Sequence, residues 1–371
     1  MKKHAARLDA NALDGLIQLL RAQGYEVHAP VKQGPALRLA PIGSASDLPA
    51  GIDSVTSPGR YRLAPASDRR IFGAGPAADA AKRLLHLPES RFAKAERQDG
   101  AFHILQDAPV AAKIALFGIR PCDVAAIARM DRVLLKDRYA DPPYQAHRAQ
   151  SFIVAANCVR SAGTCFCASM ETGPRAQTGF DIALTESRGE GGEFLAESGS
   201  EQGAAVLAEL KAPAADAGFI RACHEQCDAA AAEQTRSVDY KDARRVVISN
   251  FEHPRWESAG KRCLACANCT MICPTCFCVT TVDRSNAGQD QAERWRVWDS
   301  CFTQSFSYIH GGSVRSSTKS RYRQWLSHKL AHWQDQFGET GCVGCGRCIT
   351  WCPAGIDITE EYAVLASTSA H

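Results

Sequence analysis

Apolar residues near the start of the chain recur at the spacing of a single helix face. Between positions 13 and 20, leucine and isoleucine residues are mostly three or four positions apart, and Gly24 follows them. This spacing predicts an amphipathic helix over residues 8–23 that ends at the glycine. From residue 25 to residue 75, short apolar runs alternate with glycine, proline and serine, which predicts short strands joined by turns.

Two further apolar runs each lead into a segment that contains a cysteine. Residues 114–117 and 151–156 have the continuous apolar character of buried strands. Cys122 follows the first run at the start of a predicted helix, and Cys158 follows the second. Because open α/β sheets usually place their chemistry at the carboxyl ends of strands, these cysteines are candidate functional residues. Residues 183–240 are rich in alanine, glutamate and glycine, and we expect helices and loops there.

The composition is that of an ordinary globular protein except for its cysteines. Of the 371 residues, 45% are hydrophobic and 22% are charged, the formal net charge is +3, and 17 are cysteines. The length favours two or three domains, and the small net charge gives no reason to expect nucleic acid as a partner. Because an apolar run of about 18 residues and a secretory signal are both lacking, we expect a cytoplasmic protein without a membrane span.

The cysteines indicate metal binding. Thiols stay reduced in the cytoplasm and disulfides are rare there, and an odd number of cysteines does not fit a framework of pairs. The spacing C-x2-C-x2-C-x3-C-P begins at Cys263 and is repeated from Cys342. In bacterial ferredoxins with this spacing, the first three cysteines of one copy bind one 4Fe–4S cluster, and the fourth binds the other cluster.

This rule predicts two interleaved ligand sets. The first cluster is assigned to Cys263, Cys266, Cys269 and Cys352, and the second to Cys342, Cys345, Cys348 and Cys273. A pair of zinc sites is the alternative, but zinc takes four ligands in two tight pairs, which does not account for the third cysteine of each copy or for the proline after the fourth.

The positions of the two copies predict the domain organisation. We expect an α+β chain in which residues 1–240 form an N-terminal α/β domain and residues 241–371 form a mostly helical, bacterial-type ferredoxin module with two clusters. The two copies are unusually far apart, so the module carries a long insert, residues 279–338, in which we expect helices that contact a neighbouring protein.

The cysteines outside the two copies allow more than one interpretation. A third 4Fe–4S cluster is one of them, with the ligands Cys122, Cys158, Cys165 and Cys167. Alternatively, Cys276, Cys278 and Cys301 supply some of those ligands, or many of these residues are small buried hydrophobic residues. Cys223 and Cys227, one helical turn apart in an alanine-rich stretch, are the ones we expect to bind no metal.

A basic stretch lies in the insert, before the second copy of the motif. Its charged residues are Lys319, Arg321, Arg323, His328 and Lys329. We expect this face to be solvated or to contact a partner, because that is the common location of such charge. The chain has no Walker sequence and no dinucleotide fingerprint, so we expect it to bind no NAD(P) or flavin itself, and the sequence identifies no catalytic residue.

Several motifs taken together resemble one known family. They are FGIRPCDVAAIARMDRVLL at 117–135, NC at 157–158, CFCASMETGP at 165–174, RCLACANCTMICPTCFC at 262–278, WDSCF at 298–302 and GCVGCGRCITWCPAGIDI at 341–358. This set resembles the iron–sulfur β subunit of cytosolic multisubunit nickel–iron hydrogenases of the sulfhydrogenase type. That family also includes an iron–sulfur component of anaerobic sulfite reductase. One position departs from the family pattern, because Glu171 stands where the resemblance leads us to expect glycine.

The resemblance implies an electron relay. A separate flavin-binding subunit would exchange electrons with NAD(P)H, and this chain would pass them to or from a catalytic hydrogenase subunit that holds the nickel–iron site. The same resemblance leaves the iron–sulfur component of an anaerobic sulfite reductase complex as an alternative. Two rival hypotheses come from the residues alone: a structural or assembly protein stabilised by metal, and a reductase that binds its own flavin.

Overall fold

The structure is a computed structural model that describes residues 4–105, 111–136, 139–188, 192–286, 288 and 290–368. The strands are Ala5–Leu8 (β1), Glu26–Gln33 (β2), Ala36–Pro41 (β3), Ile52–Ser57 (β4), Arg60–Pro65 (β5), Glu89–Gln98 (β6), Ala101–Leu105 (β7), Ile114–Ile119 (β8), Ser151–Ala156 (β9), Ile182–Glu186 (β10), Phe194–Ser198 (β11), Val279–Ser285 (β12), Gln291–Trp298 (β13), Tyr308–Ile309 (β14) and Gly312–Ser313 (β15).

Helices cover much of the rest of the described chain. The α-helices are Ala10–Ala22 (α1), Lys82–Leu85 (α2), Pro121–Leu134 (α3), Pro142–Ala149 (α4), Glu201–Glu209 (α5), Ala217–Ala232 (α6), Ala243–Ser249 (α7), Arg255–Arg262 (α8), Asn268–Met271 (α9), Thr318–Ser327 (α10), Trp333–Phe337 (α11), Arg347–Thr350 (α12) and Ile358–Thr368 (α13). A π-helical turn, His328–His332, joins α10 to α11. The predicted α+β class is confirmed.

The main sheet has the strand order β1-β11-β10-β9-β8-β2-β3. Its central strands β2, β8, β9 and β10 are parallel, and the strands toward both edges are antiparallel. Helix α1 buries its predicted apolar face, including Leu16 and Leu20, against one side of this sheet, and Gly24 follows it with a φ of +86°. Residues of α3 and α4, such as Met130 and Tyr144, cover the other side. A parallel sheet with both faces covered explains why strands β8 and β9 are apolar throughout.

The parallel pairing of β8 with β9 brings the ends of these two strands to the same edge of the sheet. Cys122 lies in the first turn of α3, directly after β8. Cys158 begins the loop after β9, and that loop also carries Cys165 and Cys167. The sheet therefore gathers these four cysteines at one edge, as the strand pattern predicts.

Two regions differ from the prediction. Residues 182–186 and 194–198 form the antiparallel strands β10 and β11, although their composition led us to expect helices and loops. The insert after the first cysteine motif begins with the hairpin β12–β13 and not with a helix. In both regions burial and strand pairing outweigh local propensity, since β10 and most of β11 are buried and β13 pairs with β6.

The two halves of the chain share structure. A second sheet has the order β12-β13-β6-β7, so it joins strands from both sides of the predicted boundary at residue 240. The aromatic core of the second half, which includes Trp256 and Trp325, also contains Phe166 and Met170 from the cysteine loop after β9. The bounds of the two domains stay a prediction, and the packing between them is extensive.

Candidate metal centre

The two cysteine motifs have the same backbone conformation. In the first copy, Ala265 and Ala267 have φ values of +50° and +65°, and in the second the equivalent residues Gly344 and Gly346 have values of +63° and +72°. A short helix follows in each copy, α9 in the first and α12 in the second. The repeated sequence therefore folds into a repeated loop, which presents the first three cysteines of each copy in the same way.

Backbone amides in both loops donate hydrogen bonds to cysteine sulfur. The amide of Ala265 lies 3.4 Å from Sγ of Cys263, and the amide of Gly344 lies 3.4 Å from Sγ of Cys342. The amide of Ile356 donates to Sγ of Cys352, also at 3.4 Å. Hydrogen bonds of this kind stabilise negative charge on sulfur and are one of the factors that set the potential of iron–sulfur clusters.

The first predicted ligand set surrounds one cavity. Cys263, Cys266, Cys269 and Cys352 line it together with Cys348, and Phe302, Tyr322 and Trp325 form an aromatic wall. Cys352 comes from the other copy of the motif, so the structure brings these four residues together in the interleaved arrangement. Burial raises the pKa of Cys269 well above its ordinary value, and Cys263 and Cys352 raise it further.

The second predicted set lies deeper in the protein. Burial raises the pKa of Cys348 well above its ordinary value, and its neighbours Cys342 and Cys345 add to this effect. Burial also raises the pKa of Cys342 to about 11, with Cys273 as a further neighbour. Cys273 differs from these three, because the hydrogen bond from Cys276 is the largest effect in lowering its pKa well below the ordinary value. Buried thiols of this kind form a site that is suited to the iron atoms of a metal cluster, whose positive charge stabilises the thiolates.

Two lysines lie next to the second set, and the sequence did not predict that either of them is buried there. The ammonium group of Lys329 lies 3.1 Å from Sγ of Cys273 and 3.7 Å from Sγ of Cys276. Lys82 donates to the carbonyl oxygens of Met271 at 3.2 Å and Cys276 at 3.1 Å. Lys82 is also 4.0 Å from the centre of the Trp298 ring.

The prediction that the basic stretch forms an exposed face is therefore partly wrong. Arg321 and Lys329 are each only 5% exposed, whereas we expected them to be solvated or to contact a partner. The guanidinium of Arg321 donates to the carbonyl oxygens of Arg315 and Ser316. Arg321 donates to backbone carbonyls and Lys329 to cysteine sulfur, so only the tertiary structure explains why they are buried.

The third set forms a further group at the edge of the main sheet. Burial raises the pKa of Cys165 well above its ordinary value, and Cys167 and Cys158 raise it further. Cys122 lies in one small buried cluster with Cys167, and Cys345 of the second set packs against that cluster. The structure thus brings the four candidates together and places them beside the second set.

Polar partners hold this third group. The side-chain amide of Gln234 donates to Sγ of Cys167 at 3.2 Å. Arg347 and Asp123 form a buried ion pair at 2.9 Å, which joins α12 of the second motif to the start of α3. Sequence reasoning missed both contacts, because these residues are far apart in the chain and have no motif of their own.

The remaining cysteines are divided between two places. Cys276, Cys278 and Cys301 lie on the side of Cys273 and the two lysines, and the hydrogen bond from Cys301 is the largest effect in lowering the pKa of Cys278 to about 7. Cys223 and Cys227 lie on the buried face of α6.

In the described part of the chain, no group of three or more His, Cys, Asp or Glu side chains could hold a single metal ion. The ligands of a 4Fe–4S cluster need not meet at one point, because they bind separate iron atoms.

Glu171 follows the cysteine loop at the position where the resemblance led us to expect glycine. Its φ is +53°, a left-handed conformation that glycine adopts without strain. The phenol of Tyr240 donates to its carboxylate at 2.8 Å, and the ammonium of Lys241 lies 3.5 Å away. These contacts hold the strained residue in place, so the loop keeps the conformation that glycine would favour.

Comparison with known proteins identifies a 4Fe-4S dicluster domain in this chain. Residues 262–356 match the family model of that domain. The sulfhydrogenase 2 subunit beta of Pyrococcus furiosus is 32% identical over 248 residues, which cover 66% of this chain and 72% of that protein. Of the helices that the structure describes, none has the length and hydrophobicity needed to cross a membrane.

The second cysteine loop predicts a test with a matched control. A Cβ atom on Gly346 would lie 2.3 Å from the carbonyl oxygen of Thr164, and its φ is left-handed. We expect Gly346→Ala to destabilise the protein by about 2 kcal/mol or more, through strain and this clash. The reciprocal change, Ala267→Gly in the first loop, relieves strain and should not lower stability. Thermal unfolding under anaerobic conditions measures the stability of both variants. Equal stabilities would contradict the conclusion that only glycine fits at position 346.

Proposed function

The chain belongs to the family of sulfhydrogenase β subunits, and we propose that it relays electrons between a flavin-binding subunit that reacts with NAD(P)H and a catalytic nickel–iron hydrogenase subunit. Membership of this family and the 4Fe-4S dicluster domain make the chain an iron–sulfur electron-transfer subunit. The identities of its partners are part of the proposal. The observation that supports the relay is that three groups of cysteines follow one another from the protein surface to the edge of the main sheet.

The first set is the proposed contact with a partner. Cys266 is exposed, and the neighbouring Leu264 is 68% exposed. We propose that Cys263, Cys266, Cys269 and Cys352 hold one 4Fe–4S cluster there, while the aromatic wall excludes water from its inner side. Because a ligand of this set is exposed, a second protein could approach the site closely enough for electrons to enter or leave there.

The second set continues the path inward. We propose that Cys273, Cys342, Cys345 and Cys348 hold a second cluster, since their thiols are buried and shift one another's pKa values. Cys273 also affects the pKa of Cys269 in the first set, although burial is the largest cause there. Clusters bound by these residues supply one-electron chemistry, and the interleaved ligands keep the two sites close together.

The third set extends the path to the edge of the main sheet. We propose that Cys122, Cys158, Cys165 and Cys167 hold a third 4Fe–4S cluster. Three observations support it: the four cysteines share one site, the site is buried, and Gln234 donates a hydrogen bond to Cys167. Cys345 packs against this group, so a path from the second set to the third is short.

The relay is tested in the complete complex, purified without oxygen. Adding NAD(P)H should produce the EPR signals of reduced 4Fe–4S clusters in this chain, because electrons enter through the partner. The chain alone is the control: dithionite should reduce it and NAD(P)H should not.

Reduction of the isolated chain by NAD(P)H, with a bound flavin, would instead identify a self-standing reductase. Metal that stays redox-silent would identify a structural or assembly protein. Reoxidation of the complex by sulfite, with no response to hydrogen, would identify a sulfite reductase.

The third cluster has its own test in the iron content. Wild-type chain should contain about twelve iron atoms with equal acid-labile sulfide, and Cys165→Ser should contain about eight, because one four-iron cluster is lost. Cys223→Ser is the control, since Cys223 is also buried but lies on α6, away from the third set, and should leave the iron content unchanged. A wild-type content of about eight iron atoms would limit the clusters to the dicluster domain.

A further inference from the structure

Lys329 is a charged residue in the protein interior. It is 5% exposed and lies in the π-helical turn between α10 and α11. Its ammonium group is 3.1 Å from Sγ of Cys273, 3.3 Å from Oγ1 of Thr275 and 3.5 Å from the carbonyl oxygen of Gly341. The ammonium group is thus directed at the residues that surround the proposed second cluster.

The ammonium group has no carboxylate partner in the described part of the chain. Lys329 and Lys82 form no ion pair among the described residues, although they are only 5% and 6% exposed. In contrast, the buried Arg347 is neutralised by Asp123 at 2.9 Å. An unpaired charge in the interior is strongly unfavourable, so negative charge must come from the cysteine sulfur beside Lys329.

The first ligand set has no equivalent of this contact among the described residues. Its cavity is lined by aromatic and aliphatic side chains, among them Phe302 and Trp325. Arg321 is a buried cation on that side, and its guanidinium donates to backbone carbonyl oxygens at 2.9 and 3.1 Å. A charged donor bonded directly to cysteine sulfur therefore distinguishes the environment of the second set from that of the first.

We propose that Lys329 is a positioning residue that acts through Sγ of Cys273 and sets the reduction potential of the second cluster above that of the first. Reduction adds one electron, and hence one negative charge, to a cluster. A cation and a hydrogen bond at a ligand sulfur stabilise that added charge and raise the potential, an effect that is strongest where water is excluded. Electrons that reach the first cluster then move on to the second. The inference rests on the proposed assignment of Cys273 to the second cluster.

The test is a redox titration of the full-length chain, followed by EPR under anaerobic conditions. The wild-type chain should show two separate reduction steps within the dicluster domain. In Lys329→Met the higher midpoint should shift downward toward the lower one, and Lys329→Arg should restore the separation. Lys241→Met is the matched control, because the side chain of Lys241 is 73% exposed and pairs with Glu171. It should leave both midpoints unchanged.

Iron and sulfide contents make the outcomes distinguishable. If Lys329→Met keeps its full iron content and both midpoints are unchanged, the proposal is overturned. Should that variant lose iron, Lys329→Gln, which keeps an N–H donor without the charge, takes its place and the same downward shift is expected. Iron loss in both variants would assign Lys329 a structural role and would also overturn the proposal. Failure of the proposed function looks different, since wild-type chain itself would then lack iron and sulfide.

Discussion

The close contact between two cysteine loops is the constraint on which the rest of the structure depends. The carbonyl oxygen of Gly344 accepts a hydrogen bond of 2.9 Å from the amide of Phe166, and a Cβ atom on Gly344 would lie 2.6 Å from backbone atoms of Phe166 and Cys167. Only glycine allows the backbones to approach so closely in a left-handed conformation. This contact fixes the loop after β9 against the dicluster motif, and so brings the third cysteine group to the second.

The contact between the loops also determines which charged groups are buried. The converging loops bury many cysteines together, and negative charge on their sulfur atoms would be unfavourable without cations and hydrogen-bond donors nearby. Lys329 and Arg347 both lie beside the second set, the first bonded to Cys273 and the second paired with Asp123. Gln234 serves the third set in the same way. The second and third groups of cysteines thus each have a hydrogen-bond donor at sulfur, which is consistent with the proposed clusters.

Much of the fold and of the ligand sets follows from local sequence. Periodicity predicts α1, and continuous apolar runs predict the parallel strands β8 and β9. These predictions succeed because each pattern lies within a single helix or strand. The spacing of the repeated motif predicts which cysteines meet, including Cys352 with the first three of the other copy. The hairpins β10–β11 and β12–β13 were missed because their residues gain their strand conformation from neighbours distant in sequence. The burial of Lys329 was missed for the same reason, since its partner Cys273 lies 56 positions earlier in the chain.

The interleaving of ligands between the two copies of the motif is the central claim, and anomalous diffraction at the iron edge tests it most directly. Crystals of the anaerobically purified chain should show iron in the cavity lined by Cys263, Cys266 and Cys269, with Cys352 as the fourth ligand. A second iron site should have Cys273 as its fourth ligand, beside the ammonium of Lys329. Iron bound separately by the four cysteines of each copy, or zinc at these positions, would contradict the account.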